Sequence, residues 1–229
     1  MKPPKIRPHP KFTNIFISGS SQNLKLFTKN LDRGKSVYEE QLILQGNEEF
    51  RAWDPFRSKL CALILKKVQN IYLERNSICL YLGAATGTTI SHISDILTDG
   101  LIFGVEISER SIRNLVQNME ARKNVVPILG NALNPEEYSK YIYKPVDIIY
   151  QDVSHPEQAR IAINNANFYL KDNGKIILFI KSQSIDSTIK PKKVFEKEIN
   201  RLTAAKFKVV EKIDIDSYAT GHLSVILEK

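Results

Sequence analysis

Cysteine is scarce: Cys61 and Cys79 are the only two among 229 residues. Each sits among apolar neighbours, in KLCALIL and SICLYL. Two such thiols read as small core residues of a reducing compartment, not as a disulfide framework or a metal pair. No apolar run approaches the ~18 residues of a membrane span. The start, MKPPKIRPHPKF, is basic but lacks the apolar stretch of a signal peptide. Internal repeats and low-complexity segments are also missing. These absences point to a cytoplasmic protein with no membrane association and no bound metal.

Positive charge is in excess. Lys plus Arg number 33 and Asp plus Glu 25, for a net charge of +8. Nucleic acid is the commonest polyanion that such a surface meets, and a merely soluble basic surface is the plainer reading. Apolar residues make up 42%, enough for a sizeable core.

Residues 1–55 differ from the remainder. After a proline-rich start come short alternating stretches, NIFISG, LKLFTKNL and SVYEEQLIL. Turn signals separate them at Gly19-Ser20-Ser21, Asp32-Arg33-Gly34 and Gly46-Asn47. They predict a small antiparallel β-hairpin module, too small to stand alone, that packs on a larger domain over 56–229. That domain opens with FRSKLCALILKKVQNIYL, whose apolar spacing predicts an amphipathic helix. Apolar strands then alternate with helical segments, the pattern of an α/β fold around a parallel sheet. The helical segments include TTISHISDIL, PEEYSKY and PKKVFEKEINRLTAAK. The strands are SICLYLG, LIFGVEI, NVVPIL, VDIIYQD, KIILFIK, FKVVEKIDI and HLSVILEK. The link before the last strand, IDSYATG, is too short for a parallel crossover, so that strand is antiparallel.

The first strand of this domain runs into YLGAATGTT and then a helix. Gly83 and Gly87 bracket a tight turn at which backbone can approach a ligand. Glu106 ends the next strand, where an acid can hold a ribose diol. The spacing is G-x-x-x-G, not the dinucleotide G-x-G-x-x-G, which with the antiparallel last strand favours S-adenosylmethionine over NAD. Asn131, at the third strand's tip, can either reach an adenine edge or simply cap a turn. Asp152 and Lys181 close neighbouring strands at the ligand-binding edge. They are either a catalytic pair or a structural ion pair.

Together FRAWDPFRSKL, YLGAATGTTISHISDI, GVEIS, RNLVQNME, NVVPILGNA, VDIIYQDVSHPEQARI, IKSQSIDST and SYATGH resemble the fibrillarins, most closely the archaeal fibrillarin-like proteins. The resemblance covers nearly the whole chain and is strongest over 50–229. It implies a Rossmann-like S-adenosylmethionine-dependent methyltransferase fold, with a seven-stranded sheet. It implies methyl transfer to ribose 2′-hydroxyls of rRNA and tRNA, directed by C/D box guide RNA. It implies a Nop-domain scaffold protein and a kink-turn-binding ribosomal-type protein as partners. The family's Lys-Asp-Lys-His set falls on Lys59, Asp152, Lys181 and His222. The cofactor pattern falls on Thr88, Thr89, Glu106, Ile107, Asn131, Ala132, Asp152, Val153, Ser154 and His155. Asn131 stands where the family usually has aspartate, His155 where it has glutamine, and Gly221 where it has an acid. Two other readings use the same residues: a weakly catalytic structural subunit of the same particle, or a methyltransferase acting on protein glutamine.

Overall fold

The structure, a computed structural model, describes residues 5–20 and 22–229. Residues 1–4 of the proline-rich start, and Ser21 of one turn signal, lie outside the described residues. The chain begins with β1 (Arg7–Pro8), β2 (Ile15–Ser18), β3 (Lys25–Lys29), β4 (Leu42–Gln45) and β5 (Glu48–Trp53). These make an antiparallel sheet in the order β1-β2-β3-β5-β4. Gln45 pairs with Glu48, so Gly46-Asn47 forms a two-residue hairpin loop, with Gly46 at φ 62°. The hairpin expectation holds, but β5 was not anticipated, and SVYEEQLIL is a strand only from Leu42. The reason lies in Glu40. Its carboxylate accepts from the N–H groups of Val37 and Tyr38 and from Arg51, so this segment is a loop built around a buried charge.

The larger sheet contains β6 (Ile78–Leu82), β7 (Leu101–Glu106), β8 (Val125–Leu129), β9 (Val146–Gln151), β10 (Leu170–Lys181), β11 (Lys208–Asp214) and β12 (His222–Glu228). Their order is β11-β12-β10-β9-β6-β7-β8. Strands β6 to β10 pair in parallel, and β12 runs antiparallel between β10 and β11. The crossovers carry α2 (Thr88–Ile96), α3 (Glu109–Met119), α4 (Gln158–Tyr169) and, after a short α5 (Ser182–Ile185), α6 (Pro191–Ala204). PEEYSKY (Pro135–Tyr141) is a 3₁₀ helix.

The predicted long opening helix is cut to α1 (Lys59–Leu65). Lys67 takes φ 62°, and Val68 N–H closes on the Leu63 carbonyl, a left-handed helix stop. The stop lets Val68, Ile71 and Leu73 turn into the core. Leu60 to Ile64 are all buried, so α1 is a core helix and not an amphipathic one.

One apolar cluster joins Ile15, Ile17, Leu26 and Trp53 of the small sheet to α1, α2 and one face of the large sheet. A polar network crosses the same junction. Asp95 of α2 is fully buried between Arg51 (2.9 Å) and Arg122 (2.5 Å) and also accepts from Thr28. His92, one turn earlier, sits between Thr28 Oγ1 and the Tyr38 hydroxyl, each at 2.7 Å, and stacks on Trp53. Such a network contributes little net stability when whole, but losing one member costs about 3–5 kcal/mol. It fixes α2, and hence the turn preceding it, against the small sheet. No helix among the described residues is long and apolar enough to cross a membrane.

Candidate functional site

The carboxyl ends of β6, β7, β9 and β10 carry Gly83, Glu106, Asp152 and Lys181, and they open into one cavity of about 430 Å³. Gly83 has φ 84°, and a Cβ there would lie 2.9 Å from the Asp152 carbonyl oxygen. Glycine is therefore required where the β6 turn passes β9. Gly87, at φ 112°, starts α2 and meets Met119 and Leu115 of α3 in the same way.

Glu106 is held at the β7 tip. Its Oε2 accepts from Ala85 N–H and its Oε1 from Ser108 N–H, both at 2.8 Å. The carboxylate thus ties the β6–α2 turn to the start of α3, while lining the cavity. Ile107 beside it is 65% exposed, an apolar wall open to a flat ligand. Asn131 and Ala132 face the same space. Asn131 Oδ1 accepts from Leu133 N–H at 3.0 Å. Asn131 is therefore a turn residue and a cavity residue together. Val153, Ser154 and His155 complete the lining, and His155 Nδ1 accepts from Glu157 N–H. Thr88 and Thr89 are not lining residues: Thr89 is buried and donates to Ser58 Oγ, just before Lys59.

Asp152 gathers the cations. Lys59 Nζ is 3.0 Å from Oδ2, and Lys181 Nζ is 2.9 Å from Oδ1. Lys181 also donates to the Asp152 carbonyl (2.9 Å) and to Ser154 Oγ (3.0 Å), which are the aligned acceptors of that ammonium. Lys59 reaches Asp152 because it is the first residue of α1, after Ser58. His222 opens β12 directly opposite Lys181 in the ladder. An antiparallel strand begins at the edge where its parallel neighbours end, and this brings His222 to the site. It does not line the cavity, yet it lies within electrostatic reach of Lys59, Asp152 and Lys181. Burial, helped by the two lysines and opposed by the Thr220 carbonyl and Asp152, lowers its pKa below the usual histidine value. Nδ1 faces the Thr220 carbonyl at 2.8 Å, and a carbonyl can only accept. Nδ1 therefore carries the proton, and neutral His222 keeps a lone pair on Nε2.

Sequence reasoning alone reached Gly83, Glu106, Asn131, Asp152 and Lys181. Lys59 and His222 came only from the resemblance, and an antiparallel final strand was the one available signal for His222. Reasoning missed Gln158, a fully buried residue. Its Oε1 accepts from Lys181 N–H at 2.9 Å and its Nε2 donates to the Lys181 carbonyl at 3.3 Å. The β9–β10 ladder ends at Gln151–Leu178, so Gln158 stands in for the missing strand partner of Lys181. Gly221 is explained locally. It has φ 71°, its carbonyl accepts from Ser182, and a Cβ would lie 2.9 Å from Ser182 Oγ.

Among known proteins, the Fibrillarin family model matches residues 6–229. The fibrillarin-like rRNA/tRNA 2′-O-methyltransferase of Methanosarcina barkeri is 48% identical over 205 residues, 88% of this chain and 90% of that protein. The crystal structure of Aeropyrum pernix fibrillarin with natively bound S-adenosyl-L-methionine superposes with a TM-score of 0.89 at 36% identity, over 97% of each chain. A chain of the fibrillarin/Nop5p complex gives 0.81 at 37% identity, over 89% of this chain and 93% of that one. A match that spans all but the first five residues, with relatives of this identity along most of the chain, makes the protein a member of the fibrillarin family.

Proposed function

We propose that this chain transfers the methyl group of S-adenosylmethionine to ribose 2′-hydroxyls of rRNA and tRNA, as the catalytic subunit of a ribonucleoprotein directed by C/D box guide RNA. The observation that carries the reading is the Lys59–Asp152–Lys181 set at one cavity with Glu106. Residues 56–229 form the methyltransferase domain and residues 1–55 a β-hairpin module that braces it.

The cavity fits a nucleoside-bearing cofactor. Its volume lies in the usual ligand range of about 300–1,000 Å³. Glu106 has the acceptors for a ribose diol, Ile107 and Ala132 offer apolar walls, and Asn131 places its side-chain amide at the same cavity. Gly83 keeps the approach open beside Val153, and Ser154 and His155 complete the lining. The cofactor supplies an electrophilic methyl group. The chain positions the 2′-hydroxyl and manages its proton. Two ammonium groups against one carboxylate leave a net positive charge beside the hydroxyl, which favours the developing alkoxide. Neutral His222 offers its Nε2 lone pair for the departing proton.

Guide RNA selects the target, while a Nop-domain scaffold and a kink-turn-binding ribosomal-type protein hold this subunit to it. The net charge of +8 suits that phosphate-rich setting in the cytoplasm. The test is reconstitution with guide RNA and both partner proteins, followed by mass spectrometry of the products. Methyl groups on the guided ribose, lost in Lys181→Ala while cofactor binding persists, support the reading. Methyl groups only on protein glutamine overturn it.

A further inference from the structure

Phe56 is 69% exposed, the most exposed of the large apolar side chains described. It is not a stray surface residue. Its ring packs edge-on against Tyr218 at 5.3 Å, and Lys66 Nζ lies 5.8 Å over the other ring of the pair. Both aromatics sit beside the site by chain connectivity. Phe56 is three residues before Lys59, and Tyr218 is four residues before His222. Chain geometry limits those separations to about 11 and about 14 Å. The turn holding Phe56 is fixed, since Asp54 accepts from both Phe56 and Ser58 N–H.

A groove of about 600 Å³ runs from Phe56 and Tyr218 to the small sheet, ending near His9 and Lys11. Lys67 borders it, and no carboxylate does. Arg57, next in the chain after Phe56, is exposed with its guanidinium 5.6 Å over the Tyr38 ring. Asp54 and Asp216 each have one carboxylate oxygen engaged, Asp54 Oδ1 by Phe56 N–H and Asp216 Oδ1 by Gly221 N–H at 2.7 Å. Cations along a groove with an exposed aromatic at one end form the arrangement that binds RNA strands without base-specific readout.

We infer that the RNA strand flanking the methylated nucleotide lies along this groove, with a base or ribose face stacked on Phe56 and phosphates on Lys11, Lys67 and Arg57. The inference rests on the proposed function and deepens it by naming the surface that receives the strand. At about 3.4 Å per stacked nucleotide, the reach corresponds to bases within about three or four steps of the target ribose. Phe56 then acts by holding the ribose in register, not by touching the reacting atoms.

The test uses the assembled guided particle and varies target RNA. Phe56→Ala is expected to raise the KM for target RNA by about tenfold, within the range of one lost base stack, and Lys67→Ala to raise it several-fold by removing one phosphate contact. The double variant Lys11→Ala/Lys67→Ala is expected to flatten the salt dependence of binding. Calorimetric affinity for S-adenosylmethionine stays unchanged in all of them, and Phe56→Trp restores KM. A target KM within twofold of wild type in both single variants overturns the inference, as does a loss in Phe56→Ala that Phe56→Trp cannot rescue. Photo-crosslinking with 4-thiouridine beside the target separates this idea from the methylation reading. Crosslinks at Phe56 in a particle that methylates no ribose uphold the groove and refute the activity. Ribose methylation with no such crosslink does the reverse.

Discussion

Lys181 Nζ lies 2.9 Å from the Asp152 carbonyl oxygen and also 2.9 Å from Oδ1 of the same residue. One ammonium thus hydrogen-bonds to the main chain of an aspartate and forms an ion pair with the side chain of the same residue. Replacing Asp152 by Asn keeps the carbonyl contact but removes the charge that Lys59 and Lys181 share. Guided methyl transfer is expected to fall at least about 100-fold, the usual scale for a misplaced proton-handling or charge-stabilising group. Single-turnover rates at saturating cofactor measure this, and a loss below fivefold would refute the shared-charge role.

Glu106 is held by Ala85 and Ser108 N–H, so its oxygens are already oriented before any ligand arrives. Glu106→Ala is expected to weaken S-adenosylmethionine binding by about 10- to 100-fold, the loss of one or two charge-assisted hydrogen bonds. Glu106→Gln should lie between that variant and wild type, because one acceptor survives. Calorimetric titration of the purified protein reads both.

The Gln158 side chain touches Lys181 only at the N–H and C=O of the Lys181 backbone. Gln158→Leu leaves buried N–H and C=O groups without a partner, at about 1–3 kcal/mol. The expected signature is a lower methyl-transfer rate with cofactor affinity nearly unchanged, since Gln158 does not line the cavity. Equal losses in rate and affinity would instead mark a general unfolding of the site.

His92 is buried beside Arg51 and Arg122, and burial first, then these two charges, hold its pKa well below 6.5. The unfolded chain takes up a proton that the folded one refuses. Stability contributed by neutral His92 is therefore present above about pH 6.5 and is lost as pH falls below it, at up to about 1.4 kcal/mol per pH unit. His9 and His222 are shifted the same way and add to the slope. Urea midpoints at pH 7.5 and 5.5 should differ less in His92→Gln than in wild type. An unchanged difference would assign the slope elsewhere.

Much of the fold was legible because its cues are local. Strands buried on both faces lack alternation, and runs such as VDIIYQ and KIILFIK announce that directly. The glycines of the β6 turn and the acid 19 residues after Gly87 marked the cofactor edge for the same reason. The long opening helix was misread because Val68, Ile71 and Leu73 continue an apolar rhythm while the backbone has already turned at Lys67. β5 was not seen because its buried Arg51 breaks the apolar pattern, and its charge is matched only by distant Glu40 and Asp95.

By itself the sequence determined the alternation of strands and helices, the antiparallel last strand and the glycine turn, since each depends on residues near one another in the chain. The tertiary structure alone decided that Lys59, Asp152 and Lys181 meet, with His222 opposite, and that Gln158 completes the ladder at Lys181. Those contacts span 23 to 93 residues of chain. They are set by sheet order, strand direction and the point where β9 leaves β10, and none of these is written in the spacing of the residues concerned.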